Sequence, residues 1–496
     1  MSGKYQAYPV YKDSGVEWLG RVPQHWRATQ TKYGYTIVLG KMLQTVPKTD
    51  MDLLKPYLRA ANIQPHGLDL DDVKKMWFSP NERLSLRLEA GDVLISEGGD
   101  VGRSAIWQSE IPECYIQNAV NRARSHKSNV PNFLNYWLKM IKASGFIDII
   151  CNKSTIPHYT AEKVEATPIL LPPPEEQRTI AAFLDHETAR SDRLIEKQQR
   201  LIELLKEKRQ AVISHAVTKG LDPNVPMKDS GVEWLGQVPE HWCVTSIRNL
   251  VRSGNLEVQD GNHGELHPVA NEYVDVGIPF LMANNIRDGK IDTNRCKRIT
   301  KERADQLRIG FSVAGDMLLT HKGTVGEVAK VPEQIDEPYW MLTPQVTYYR
   351  WSPRFYDSSY FTYQFQSKAI ATQLDIISAM QSTRSYVGLI AQGALIVTVP
   401  PIREQMQIQK ELFRRTNKFN GLLSKASLMV KFLQERRTAL ISAAVTGKID
   451  VRNWQPNTST QVAESDLPMA AEQAAEAAPA HPCAHGTGSS MNSVTR

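Results

Sequence analysis

The chain carries one motif twice. Lys12 to Trp26 reads KDSGVEWLGRVPQHW, and Lys228 to Trp242 reads KDSGVEWLGQVPEHW, 216 positions later and differing only at Arg21/Gln237 and Gln24/Glu240. An internal repeat of this quality fixes the architecture before any local propensity is considered, because whatever the first copy folds into, the second must fold into as well. Weaker echoes follow in the same order. Ala90 to Arg103 matches Ala314 to Glu327 at offset 224, and Asn62-Ile63 matches Asn285-Ile286. Ser154-Thr155, the PPPEEQ from Pro172 and the KRQAVISHAVT from Lys208 return at Ser382-Thr383, Pro400 and Arg436, all at offset 228. The offset drifts early in each copy and then freezes. Segments that tolerate insertion behave as rewritable surface, and segments of fixed length set geometry. Each half therefore reads as a variable domain followed by a rigid spacer.

The variable parts, 27–171 and 243–399, mix short apolar runs with turn signals. Asp92 to Ser96 and Asp316 to Thr320 have the length of buried strands, entered from a Gly-Asp turn and left through glycine-rich sequence. Phe133 to Ala143 carries a helical pattern, so these domains are expected to be α+β.

The spacers, 172–222 and 400–450, are expected to be long helices. Glu175 to Asp222 contains no proline and a single glycine, Gly220, near the expected end. Its heptad ladder (Ile180, Leu184, Glu187, Ser191, Leu194, Gln198, Leu201, Leu205, Lys208, Val212, His215) is apolar at six of eleven places. The ladder shifted by 228 runs Ile408, Leu412, Arg415, Phe419, Leu422, Ala426, Met429, Leu433, Arg436, Leu440 and Ala443, apolar at nine. The matched lengths point to mutual partners in an antiparallel coiled coil; the alternative is that each helix packs only on its own domain. Antiparallel pairing sets Glu187 against Arg436, which attracts, and Lys208 against Arg415, which repels. Segments 1–26 and 223–242 hold the two copies of the opening motif. The tail, 451–496, has no periodicity and is expected to be disordered.

Charge and cysteines narrow the function. From Asn453 onward four acids face Arg496 alone, a net of −3, so the +6 of the whole leaves +9 on the body. A basic body suits a polyanion, because neutralised phosphates release counterions. The five cysteines are scattered without Cys-x-x-Cys spacing, which indicates neither a disulfide framework nor a zinc site. Apolar runs are too short to cross a bilayer and no secretion signal is visible, so a cytoplasmic location is expected. Neither Gly-x-Gly-x-x-Gly, a Walker loop, a zinc-protease helix nor the Asn-Pro-Pro-aromatic of amino-methyltransferases occurs. The pairs His25-Trp26 and His241-Trp242 read as packing corners, and the chain is expected to be non-catalytic.

A Pro-x-His-Trp opening, a variable region, a Leu-Pro-Pro-x-x-Glu-Gln start at Leu171 to Gln177 and a long helix, all present twice, resemble the specificity subunits of type I restriction-modification systems over about residues 8 to 450. The second start, Val399 to Gln405, departs at Ile402-Arg403. The resemblance implies two target-recognition domains in pseudo-twofold tandem, joined by antiparallel coiled-coil helices and reading a split DNA target, one half-site per domain. It implies double-stranded DNA, two modification subunits and two restriction subunits as partners. S-adenosylmethionine, ATP and magnesium then belong to those partners, and this chain holds no cofactor of its own. The specificity subunit of a fused restriction-methylation system and a protein-binding scaffold are the alternatives.

Base reading needs paired donors and acceptors at base edges, while lysines and backbone amides hold phosphates. Candidates in turns beside the echoed strands are Asn62, Gln64, Arg103, Asn121 and Arg122 in the first domain, and Asn285, Arg287, Lys322 and Arg350 in the second. Gly98, Gly99 and Gly102, with Gly323 and Gly326, are expected to let backbone approach phosphate. The helix contacts are expected at Leu184, Leu194, Leu201, Leu205, Phe419, Leu422, Leu433 and Leu440.

Overall fold

The computed structural model describes residues 5–126, 128–151, 157–264, 267–379 and 386–455. Two compact units emerge: residues 1–190 with 436–496, and residues 191–435. The echoed Ser154-Thr155 and Ser382-Thr383 lie outside the described residues, as does the tail beyond Gln455.

In the first unit a four-stranded antiparallel sheet runs in the order Ser104–Ile106, Val93–Ser96, Val120–Ser125, Tyr35–Leu39. Val93 to Ser96 is wholly buried, as an uninterrupted apolar run requires of a central strand. A second sheet joins Tyr115–Ile116, Leu53–Leu58 and Lys74–Phe78. Arg27–Gln30 pairs antiparallel with Pro168–Leu171, closing the domain where the variable sequence begins and ends. Helix Pro131–Ala143 seals the core through Phe133, Leu134, Trp137 and Ile141.

The second unit repeats this plan. Its four-stranded sheet runs Leu256–Asp260, Val346–Trp351, Met317–Lys322, Thr324–Lys330, which is the first unit's order read from the other edge. Cys243–Ser246 pairs with Ile396–Val399 as the closing strands do in the first unit.

Two helices, Pro174–Lys219 (central) and Ile402–Val445 (C-terminal), each contribute to both units. In the first unit Ile180, Phe183 and Leu184 share a core with Leu440, Ile441, Ala444 and Val445. In the second, Ile213, Ala216 and Val217 share one with Ile408 and Leu412. Start meets end in both cases, so the helices run antiparallel. The expected contacts Leu184, Leu205, Leu433 and Leu440 are buried, and Leu194, Leu201, Phe419 and Leu422 are half-buried. Glu187 and Arg436 both act on the Tyr5 phenol, which burial and Glu187 hold above its usual range. The ladder fails at Met429, Arg415 and His215, which face outward. Thr188 and Thr416 turn inward instead, because a strict 3.5 repeat slips against a 3.6-residue helix.

Gly447 ends the C-terminal helix in the left-handed region (φ +71°), and a Cβ there would stand 2.4 Å from Pro23 Cδ, so only glycine fits. The chain then continues into the core rather than becoming tail at 451. Val451 is buried, and Trp454 packs edge-on to Phe183 with ring centroids 5.6 Å apart. The expected start of the disordered tail at 451 is thereby corrected for residues 451–455.

Candidate nucleic-acid interface

The recurrent motifs hold the frame on which an interface is built. The prolines before Glu175 start the central helix without needing amide partners. Its first turn then presents two side chains with different duties. Glu176 is buried and accepts from Tyr8 Oη at 2.6 Å and Trp26 Nε1 at 2.9 Å, with His25 Nε2 at 2.7 Å. Burial, then this bond to Glu176, drives the Tyr8 phenol far above its usual range. Gln177 turns toward the recognition domain, accepting from Val130 N–H at 2.9 Å and donating to Asn129 Oδ1 at 2.8 Å. In the second copy Glu404 meets His241 at 2.7 Å, and Gln405 accepts from Asp357 N–H and donates to Phe355 O. The His-Trp pairs are packing corners, as their sequence context predicts: Trp26 and Trp242 are fully buried.

Several residues expected to read bases serve the fold instead. Asn62 is buried; its Oδ1 accepts from Arg59 N–H at 2.9 Å and its Nδ2 donates to Asp69 O at 2.8 Å, closing the loop around the hairpin Ile63–Gln64/Gly67–Leu68. Asn285 does the same through Met282 N–H and Asp292 O. Asn121 is buried and donates to Tyr159 O at 2.8 Å. Arg122, 5% exposed, spends its Nη1 on Ser85 O and Arg87 O, and burial draws its guanidinium below the usual range. Arg350 grips buried Asp316 through Nε and Nη2 at 2.9 and 2.8 Å; burial keeps that carboxyl above its usual range despite the arginine. Asn62, Asn285, Asn121 and Arg122 are corrections with one cause, since a buried side chain committed inside its own domain cannot also meet a base edge; Arg350 is held by Asp316 and is one-third exposed. The counterpart of Arg350, Arg124 with Asp92 at 2.7 Å, escaped notice in the sequence. The Gly-Asp preceding each echoed strand was the available signal for it.

The remaining candidates sit on the surface. Arg103 donates to Asp100 Oδ2, to Ile63 O at 3.4 Å and to Gln64 Oε1 at 3.2 Å, so the structure brings Gln64 and Arg103 together. Gly99 takes φ +73° and has open space where a Cβ would lie, as has Gly98. Gly102 differs: a Cβ would strike Ile147 Cδ1 at 2.5 Å, so that glycine serves packing. In the second unit Arg287 is exposed in a hairpin whose turn, Asp288-Gly289, is left-handed at both residues, the geometry favoured for two-residue turns. Lys322 is exposed where Met317–Lys322 turns back, Gly323 takes φ +82° with open space beside it, and Gly326 takes φ +94°. Among the described residues no group of His, Cys, Asp and Glu is placed to hold a metal. No helix among them is long and apolar enough to cross a membrane.

Residues 74–204 match the family profile described as the type I restriction modification DNA specificity domain. The specificity subunit of the type I restriction enzyme MjaVIII from Methanocaldococcus jannaschii is 21% identical over 436 residues, covering 87% of this chain and 95% of the relative. Over most of its length the chain is similar to specificity subunits of type I restriction enzymes. The EcoKI specificity subunit of Escherichia coli is 23% identical over 413 residues, 79% of this chain and 82% of that one. A solved chain from work on assembly and conformational transition of the type I restriction-modification system shares the fold, with a TM-score of 0.63 at 14% identity over 86% of this chain and 98% of that one. The duplicated frame is thus a fold shared with that chain.

Proposed function

We propose that this chain is a specificity subunit that binds an asymmetric, bipartite duplex DNA target, each unit reading one half-site. The carrying observation is one strand order built twice with different side chains at corresponding exposed turns: Gln64 against Arg287, and Gly98-Gly99 against Lys322-Gly323. A fixed frame with exchanged turn chemistry is what two readers of different sequences require.

Two modification subunits and two restriction subunits are the proposed partners, and S-adenosylmethionine, ATP and magnesium the cofactors those partners bring. All would work in the cytoplasm. A stripe on the C-terminal helix supports partner docking: Met406, Phe413, Leu428 and Phe432 are each more than half exposed and fall within about 100° of one another around the helix.

The test is exchange of residues 27–171 for the matching region of a relative, followed by mapping of methylated adenines. One half of the target should change and the other stay. Change in both halves, with the protein folded, would overturn the reading of two separate readers.

A further inference from the structure

The first unit contains a cleft of about 270 Å3 whose lining includes Gln64, Arg103, Lys139, Lys142 and, from the C-terminal helix, Arg437. One carboxylate, Asp100, also lines it, holding Arg103 Nε and Lys142 Nζ at 2.5 Å each. Among the lining residues four cations stand against one anion, around a space wide enough for a tetrahedral oxyanion. Such a concentration of one sign focuses the field into the cleft and favours an anionic guest.

The repeat supplies an internal control. Tyr136 meets Thr188 at 3.2 Å, and Tyr363 meets Thr416 at 3.1 Å, which fixes the correspondence of the two recognition-domain helices. By that alignment Arg103, Lys139, Lys142 and Arg437 correspond to Glu327, Gln366, Ala369 and Arg209. The second unit builds the same elements with Gln366, whose Nε2 donates to Val328 O at 3.2 Å and whose backbone carbonyl accepts from Gln210 Nε2 at 2.6 Å. The frame therefore does not need the cations: at the equivalent positions the second unit keeps one of the four, Arg209.

We infer that this cleft is a phosphate site, taking a backbone phosphate of duplex DNA through Arg103, Lys139, Lys142 and Arg437, with the C-terminal helix supplying one of the four. Arg103 is preset by Asp100 and Gln64, and Lys142 by Asp100 and Val101 O at 2.7 Å, so these donors are ordered before DNA arrives. The open space at Gly98 and Gly99 lets a strand come close to the neighbouring turn. A phosphate contact adds affinity without sequence preference and raises salt sensitivity. The inference rests on the DNA-binding reading.

The experiment uses the full chain assembled with its modification subunits, a duplex carrying its mapped methylation site, and a random duplex of equal length. Lys139→Gln with Arg437→Gln should weaken binding to both duplexes by the same factor, about tenfold. It should lower the slope of log affinity against log salt by about 1, the release from one phosphate, and leave the methylated sequence unchanged. Lys139→Arg with Arg437→Lys keeps both charges and should restore slope and affinity, which separates charge from folding. An unchanged slope with the site still methylated would overturn the phosphate site while leaving the DNA reading intact. So would poorer assembly with the modification subunits at an unchanged slope, the signature of a partner carboxylate in the cleft. Equal affinity of the unaltered assembly for both duplexes would instead sink the DNA reading.

Discussion

Trp26 Nε1 donates to Glu176 Oε1 at 2.9 Å, while among the described residues its counterpart Trp242 finds no hydrogen-bond partner for Nε1 although it is equally buried. The two copies of one motif thus close with unequal bonding. Tyr8 completes the difference: it adds a third bond to Glu176, and Asn224 stands at its place in the second copy.

Glu176→Ala leaves the Tyr8 hydroxyl and the Trp26 N–H buried without their acceptor, at a cost of about 2–4 kcal/mol. Glu404→Ala removes one half-exposed contact and should cost about 0–1 kcal/mol. Urea unfolding of the two variants checks this asymmetry; equal losses would show that the carboxylate's bonds are not what closes the first copy.

Arg350→Ala should act on stability and not on the sequence read. Asp316 would remain as a buried carboxyl without its guanidinium, at a cost of about 2–4 kcal/mol, less than for a fully buried pair because Arg350 is one-third exposed. The check is thermal unfolding alongside methylation mapping. A folded variant of normal stability with a relaxed half-site would return Arg350 to the base readers.

The contrast between legible and illegible features has a physical basis. Duplication, helix lengths and antiparallel pairing were readable because Leu184, Leu205, Leu433 and Leu440 repeat at a period that only a buried helix face explains. Asn62 and Asn285 misled because the amide that suits an adenine edge also suits a loop's backbone, and spacing does not reveal which way a side chain turns. Glu176 and Gln177 were visible as a motif, but their division of labour was not, since adjacent helix residues point about 100° apart toward different neighbours. The cations of the cleft come from positions 103, 139, 142 and 437, which no local pattern connects.

The second unit should lose stability on acidification through His321. Burial holds this imidazole below its ordinary range against the pull of Asp260 at 3.5 Å, with His263 and Lys322 opposing protonation and the Tyr386 ring packed at 5.6 Å. A lowered folded-state value means that the unfolded chain binds the proton more readily. The contribution is therefore full above about pH 6.5, the unfolded value, and is lost progressively as pH falls below it. His321→Gln should flatten the dependence of the unfolding midpoint between about pH 7.5 and about 5.5. Parallel curves for the variant and the unaltered protein would assign the dependence to other groups.

Truncation tests the contacts of the chain up to Gln455. Trp454 lies edge-on to Phe183, and its ring is 5.5 Å from His186. Just before it, Asp450 N–H bonds Gln6 O at 2.7 Å and the Arg452 guanidinium lies 5.1 Å from the Tyr8 ring centroid. The chain is thus pinned to the first unit by successive contacts up to the tryptophan. Ending the protein after Gln455 should leave the unfolding midpoint and DNA binding unchanged. Ending it after Arg452 removes the half-buried indole and should cost about 1–2 kcal/mol, the scale of one aromatic contact with its partial burial. Trp454→Ala in the full-length chain should reproduce most of that loss. Equal stability of both truncations would show that the indole contributes nothing to the core it touches.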